Sequence, residues 1–177
     1  MSLIETVNPE QATGTVAEVY REIGQVLGRV PNGMRLYSVS PTLLAHQWQQ
    51  MGYYMQHPNL SPALLATIRL LVSQANHCEY CIDMNAGMLI GMFGLTPEQV
   101  ATIRRDPETA PFAAREKALL QLVLKTVVQR EPATDAGLTA LRAHGWSSAD
   151  ILDAVAHGAR NVSVDVLLNA FAVENDF

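Results

Sequence analysis

The chain has 177 residues, of which 49% are hydrophobic and 16% charged, with a formal charge of −5. That length suits one domain, or two small helical halves sharing a core, and the composition excludes a disordered chain. A net negative charge with no basic run and no aromatic-and-arginine platform gives no footprint for nucleic acid or an anionic membrane.

The start, Met1-Ser2-Leu3-Ile4-Glu5-Thr6, lacks the charged-then-apolar pattern of an export signal. The longest apolar stretches are interrupted by Arg69, Gln74, Asp83 or Lys125, which argues against a membrane span. The expected location is therefore cytoplasmic. There a cysteine pair is more often catalytic or metal-binding than a structural staple.

Helix patterns fill the chain and strand patterns are scarce. Val16, Val19, Tyr20, Ile23, Val26 and Leu27 form one stripe, which predicts an amphipathic helix over Thr15–Leu27, ended by Gly28 to Gly33 with Pro31 and Asn32. Ser40 and Pro41 open a second helix to His57. Ser61-Pro62 opens a third to about Gln74, and the cysteine helix runs from about Glu79 to Phe93, closed by Gly94. Thr96 and Gln99 have capping-box spacing at the head of a short helix over Pro97–Arg105. Further helices are expected over Pro111–Gln129 and Thr134–Ala143. Ser147 caps a last segment to about Val173, with a bend expected where β-branched residues cluster between Val162 and Val166. The expected fold is a single all-α domain over residues 1–177, with a cysteine-motif core about 40–105, a seam at Asp106–Pro111 and a helical rear about 111–177. Met51, Met55, Met84, Met88 and Met92 are spaced like core filling.

Cys78 and Cys81 are the two cysteines of the chain and sit where a polar turn runs into the helix opening at Glu79. Residues at i and i+3 face the same way, and the unpaired N–H groups of a helix start favour a thiolate. Cys78, at the start, is expected to be the accessible sulfur with the lowered pKa, and Cys81 the buried partner. Such a pair suits disulfide exchange or peroxide reduction, one thiolate attacking and the other resolving. Either order is open: Cys81 attacking a peroxide with Cys78 resolving, or Cys78 attacking a disulfide first. His77, Glu79, Tyr80 and Asp83 are the local candidates for a proton relay. A zinc site needs two more ligands, and His46, His57, His144 and His157 are scattered, so no metal and no cofactor are assigned. His157, with Arg160 and Asn161 nearby, is read as a structural histidine in preference to a pocket residue. Two inert buried cysteines are the plain alternative.

Leu60-Ser61-Pro62, followed a helix later by Ala75-Asn76-His77-Cys78-Glu79-Tyr80-Cys81-Ile82, resembles the carboxymuconolactone decarboxylase and alkyl hydroperoxidase D (AhpD-like) superfamily. The stretch from Ala114-Arg115-Glu116-Lys117 to His144-Gly145-Trp146-Ser147 resembles its peroxidase-related branch. The resemblance implies an AhpD-like helical bundle that assembles as a trimer or hexamer. It also implies thiol peroxidase (peroxiredoxin-type) activity in antioxidant defence on a peroxide or disulfide substrate, with a dithiol or lipoyl-type electron donor. It makes Cys78 and Cys81 the catalytic residues. The family's relay glutamate and histidine fall on Ala66 and Asn85, neither of which titrates, so His77, Asp83 and Asn85 are kept as auxiliary candidates. Two alternatives compete: a decarboxylase acting on a small acid, and a non-catalytic redox-sensing or scaffold protein.

Overall fold

The computed structural model describes residues 2–177, and among them no strand forms. The helices are α1 (Gly14–Leu27), α2 (Asn32–Leu36), α3 (Pro41–Met55), α4 (Pro62–Ala75), α5 (Glu79–Gly91), α6 (Pro97–Arg105), α7 (Ala114–Val123), α8 (Asp135–Ala143) and α9 (Ser148–Ala170). No helix among the described residues is long and apolar enough to cross a membrane.

The start signals act as their chemistry requires. Ser61 Oγ accepts from the Leu64 N–H at 3.2 Å, and Thr96 and Gln99 make the reciprocal capping box. Ser147 Oγ accepts from the Asp150 N–H at 3.1 Å while Asp150 Oδ2 accepts from the Ser147 N–H at 3.0 Å. Three expectations need correction. The helix expected from Pro111 begins at Ala114, and beyond α7 the chain widens into a π turn over Leu124–Val128. α9 runs unbroken through Val162–Val166, because β-branched residues lower helix propensity only slightly and packing overrides that. Of the methionines expected as core filling, Met55 and Met92 are 44% and 69% exposed, while Met51 packs against a core cluster and Met84 and Met88 are half-buried. The short α2 and the 3₁₀ turn Tyr37–Val39 fill a segment that carries no periodic signal.

The chain divides into two compact units. One comprises residues 2–57 and 167–176 and is built on Val16, Val19, Tyr20, Ile23, Met34 and Leu44. Its later segment is tied in by Arg29, whose guanidinium lies 2.7 Å from the Asp176 carboxylate. The other comprises residues 58–166 with Phe177 and carries the cysteines.

Within this second unit α4 and α5 are joined by a tight turn. His77 takes a left-handed conformation there, φ 53°, which lets the Cys78 N–H reach back to the Ser73 carbonyl at 3.0 Å. The helical part of α9 belonging to this unit crosses closely at Gly158. A Cβ at that position would lie 2.8 Å from Val123 Cγ1 and 3.3 Å from Val127 Cγ2. Gly158 thus costs helix propensity but permits the close approach of α9 to α7 and the following π turn. Gly158→Ala should destabilise the fold by about 1–3 kcal/mol through overpacking, even though alanine is the better helix former. Urea denaturation would read this as a lower midpoint; an unchanged or higher midpoint would contradict the close crossing.

Candidate active site

Three helical stripes meet inside the second unit. α4 contributes Arg69 and Ser73, with Asn76 just beyond its end. α5 contributes Cys81 and Asn85, with Cys78 as its N-cap residue. α9 contributes His157, Asn161 and Asp165, at i, i+4 and i+8 on one face. Hydrophobic residues surround this polar seam, so its hydrogen bonds are made internally.

Asp165 is the centre. It is 0% exposed, and its carboxylate lies with the Cys78 and Cys81 sulfurs in a group whose reactive atoms are all within 4.8 Å of one another. Oδ1 accepts from Ser73 Oγ at 2.9 Å and Oδ2 from Asn76 Nδ2 at 2.9 Å. Asn161 Nδ2 reaches both oxygens, at 3.2 and 3.1 Å, and also donates to Ser73 Oγ at 2.7 Å. Further along the seam Arg69 Nε donates to Asn85 Oδ1 at 2.7 Å, and Asn85 Nδ2 donates to the Cys81 carbonyl at 2.7 Å. Arg69 Nη1 lies 3.2 Å from His157 Nε2, a bond that requires this ring nitrogen to be the acceptor.

The electrostatics separate the two thiols. A hydrogen bond from Cys81 holds the Cys78 thiol below its ordinary pKa, against burial and the charge of Asp165. Cys81 is pushed far up, first because ionising it forfeits that bond, then by burial and by Asp165. Burial raises the Asp165 pKa, opposed by its donors Asn76 and Ser73 and by the thiols. Burial lowers Arg69 to about 10, with attraction to Cys81 working the other way, so it remains a cation at neutral pH.

The expectation that Cys78 is the accessible sulfur fails. Cys78 is 0% exposed and Cys81 1%. The cause is the bond from its own N–H to Ser73, which draws the helix start inward beneath α9. Both cysteines are free thiols. His77, Glu79 and Asp83 are exposed and stand outside the thiol group. Tyr80 is buried and packs edge-on against Phe177, ring centroids 5.3 Å apart. Ala66 is sealed among Leu70, Ile82, Leu89 and Val100. Asn85 does enter the seam, as a hydrogen-bonding bridge between Arg69 and the Cys81 backbone. His157 joins it too, through Arg69. Asp165 is the residue that the sequence reading missed. The signal available for it was the spacing of His157, Asn161 and Asp165, which places three polar side chains on one face of the helix.

Cys78, Cys81 and Asp165 are also donors that a metal could use. Tetrahedral zinc wants four ligands, and no further His, Cys, Asp or Glu joins the group among the described residues. Both Asp165 oxygens already accept from neutral donors.

Residues 42–125 match the carboxymuconolactone decarboxylase family. An alkyl hydroperoxide reductase of Mycobacterium tuberculosis is 29% identical over 86 residues, a match covering 49% of this chain and 25% of that protein. The fold is shared with a peroxidase-related protein of Ralstonia eutropha JMP134, described as an alkylhydroperoxidase AhpD core. That likeness has a TM-score of 0.85 at 19% identity over 99% of this chain and 92% of the other. The debrominase Bmp8, solved in complex with 2,3,4-tribromopyrrole, is similar at a TM-score of 0.79 and 16% identity, over 98% of this chain and 91% of its own. The sequence likeness to the carboxymuconolactone decarboxylase family thus lies in residues 42–125, while the AhpD-like fold extends over nearly the whole chain.

The asymmetry of the thiols is measurable. Methyl methanethiosulfonate labelling, read by mass spectrometry, should modify Cys78 with a pH midpoint below the ordinary thiol value of about 8.5. Cys81→Ala removes the donor and should move that midpoint upward. A midpoint unchanged by the substitution would contradict the hydrogen bond between the thiols.

Proposed function

We propose that this chain is a thiol-dependent peroxide reductase with an antioxidant role, working through Cys78 and Cys81. The observation that carries the proposal is the meeting of two free thiols of opposite acidity beside a buried carboxylate. The match of residues 42–125 to the carboxymuconolactone decarboxylase family and the likeness to an alkyl hydroperoxide reductase agree with it.

Cys78, the more acidic thiol, attacks the terminal oxygen of a hydroperoxide. A sulfur–oxygen bond forms, the oxygen–oxygen bond breaks, and the alkoxide leaves as the alcohol after taking a proton from solvent. The sulfur is now a sulfenic acid. Cys81 gives up its proton and attacks the Cys78 sulfur, forming the disulfide and expelling the oxygen as water. An external dithiol then returns the pair to thiols by exchange. Sulfurs this well covered favour a small peroxide over a protein disulfide as the oxidising substrate.

The same burial favours a second reading, a redox sensor whose pair oxidises without turnover. The two separate experimentally. With peroxide and an excess dithiol, the wild-type protein should consume many equivalents and Cys78→Ser none; with peroxide alone, Cys81→Ser should consume a single equivalent, leaving a sulfenic acid that dimedone traps. Oxidation that stops after one equivalent in the wild type would select the sensor. Full turnover by Cys78→Ser would remove the mechanism.

A further inference from the structure

We infer that Asp165 accepts the Cys81 proton as the disulfide closes. The inference rests on the dithiol reading above and supplies the base that this reading leaves unnamed.

Closing requires the Cys81 sulfur to shed its proton inside a site where both sulfurs and the acceptor are covered. Cys81 is 1% exposed, so bulk water is not in contact with it. The positions at which the superfamily resemblance places a relay hold Ala66 and Asn85, and neither takes a proton. His77, Glu79 and Asp83 are exposed and outside the group. Arg69 of α4 is a cation, and His157 of α9 already uses Nε2 to accept from it. Among the described residues, Asp165 is the carboxylate grouped with both sulfurs.

Its surroundings suit the task. The groups bound to its oxygens are Ser73 from α4, Asn76 from the following turn and Asn161 from α9, all uncharged. They aim the carboxylate and do not neutralise it. The titratable and charged groups around it are Cys78 and Cys81 from the start of α5, with Arg69 and His157 further along the seam. Burial strengthens its hold on a proton, which narrows the gap to a thiol whose acidity rises as the sulfur–sulfur bond forms.

The proton and electron count closes. The Cys81 S–H proton passes to Asp165. The electron pair left on Cys81 makes the bond to Cys78, and the sulfur–oxygen bond of the sulfenic acid breaks. The departing hydroxide takes the proton back from Asp165 and leaves as water, so the carboxylate is regenerated.

Dithiodipyridine tests this without a peroxide. Capture of the first thiol releases one thiopyridone, and ring closure by the second releases another, so stopped-flow absorbance separates the steps. In Asp165→Asn the first release should be at least as fast as in the wild type, because a nearby negative charge is gone. The second should slow by about 10²-fold, the low end for a lost general base. A second release at the wild-type rate, or both releases slowed equally, would overturn the inference. The wild-type pH profile decides the matter even if the variant does not fold. Closure should rise with pH and level off above the Asp165 titration, which lies higher than that of an ordinary aspartate. A rate that keeps climbing in proportion to hydroxide overturns it. Peroxide consumption assayed on the same protein reports separately on the peroxidase proposal.

Discussion

A carboxylate with no exposure beside two covered sulfurs is the constraint around which this site is organised. Moving a carboxylate out of water costs several kcal/mol unless hydrogen bonds replace the lost hydration. Ser73, Asn76 and Asn161 supply that replacement with neutral groups. A cation in their place would have fixed Asp165 as an inert ion pair. Neutral donors orient it without pairing its charge. The nearest guanidinium in the seam, Arg69, is instead held by Asn85 and His157.

The packing of the second unit serves that arrangement. The left-handed turn at His77 folds α5 back on α4, and Gly158 lets α9 pack closely on Val123 and Val127, one turn before Asn161 on the helix that carries Asp165. Both sulfurs and the carboxylate are buried, and burial strengthens each electrostatic interaction between them. The thiols differ for the same reason. The hydrogen bond from Cys81 lowers the Cys78 pKa, while the same bond, burial and Asp165 raise that of Cys81.

What the sequence revealed was local. Ser61 before Pro62, the Thr96 and Gln99 box and Ser147 each act within a few residues, and each does what its chemistry predicts. The cysteine pair was legible on the same grounds. Exposure was not: a residue at a helix start is open or closed according to what lies across from it, and α9 covers Cys78. Asp165 was illegible in kind, since it meets Ser73 across 92 positions of chain. The relay positions implied by the resemblance, Ala66 and Asn85, lie on α4 and α5, whereas the carboxylate beside the thiols lies on α9. The valines flanking Asp165 suggested a bend, when they were packing surface on an unbroken helix.

All of this supposes that the two thiols form a single reversible couple inside the folded chain. The most direct measurement is a redox titration of the native protein in a dithiol buffer, with intact-mass and peptide analysis at each point. The account predicts one reversible two-electron transition between free thiols and an intramolecular Cys78–Cys81 disulfide, with helical circular dichroism retained throughout. Thiols that stay reduced until the helices melt would contradict it.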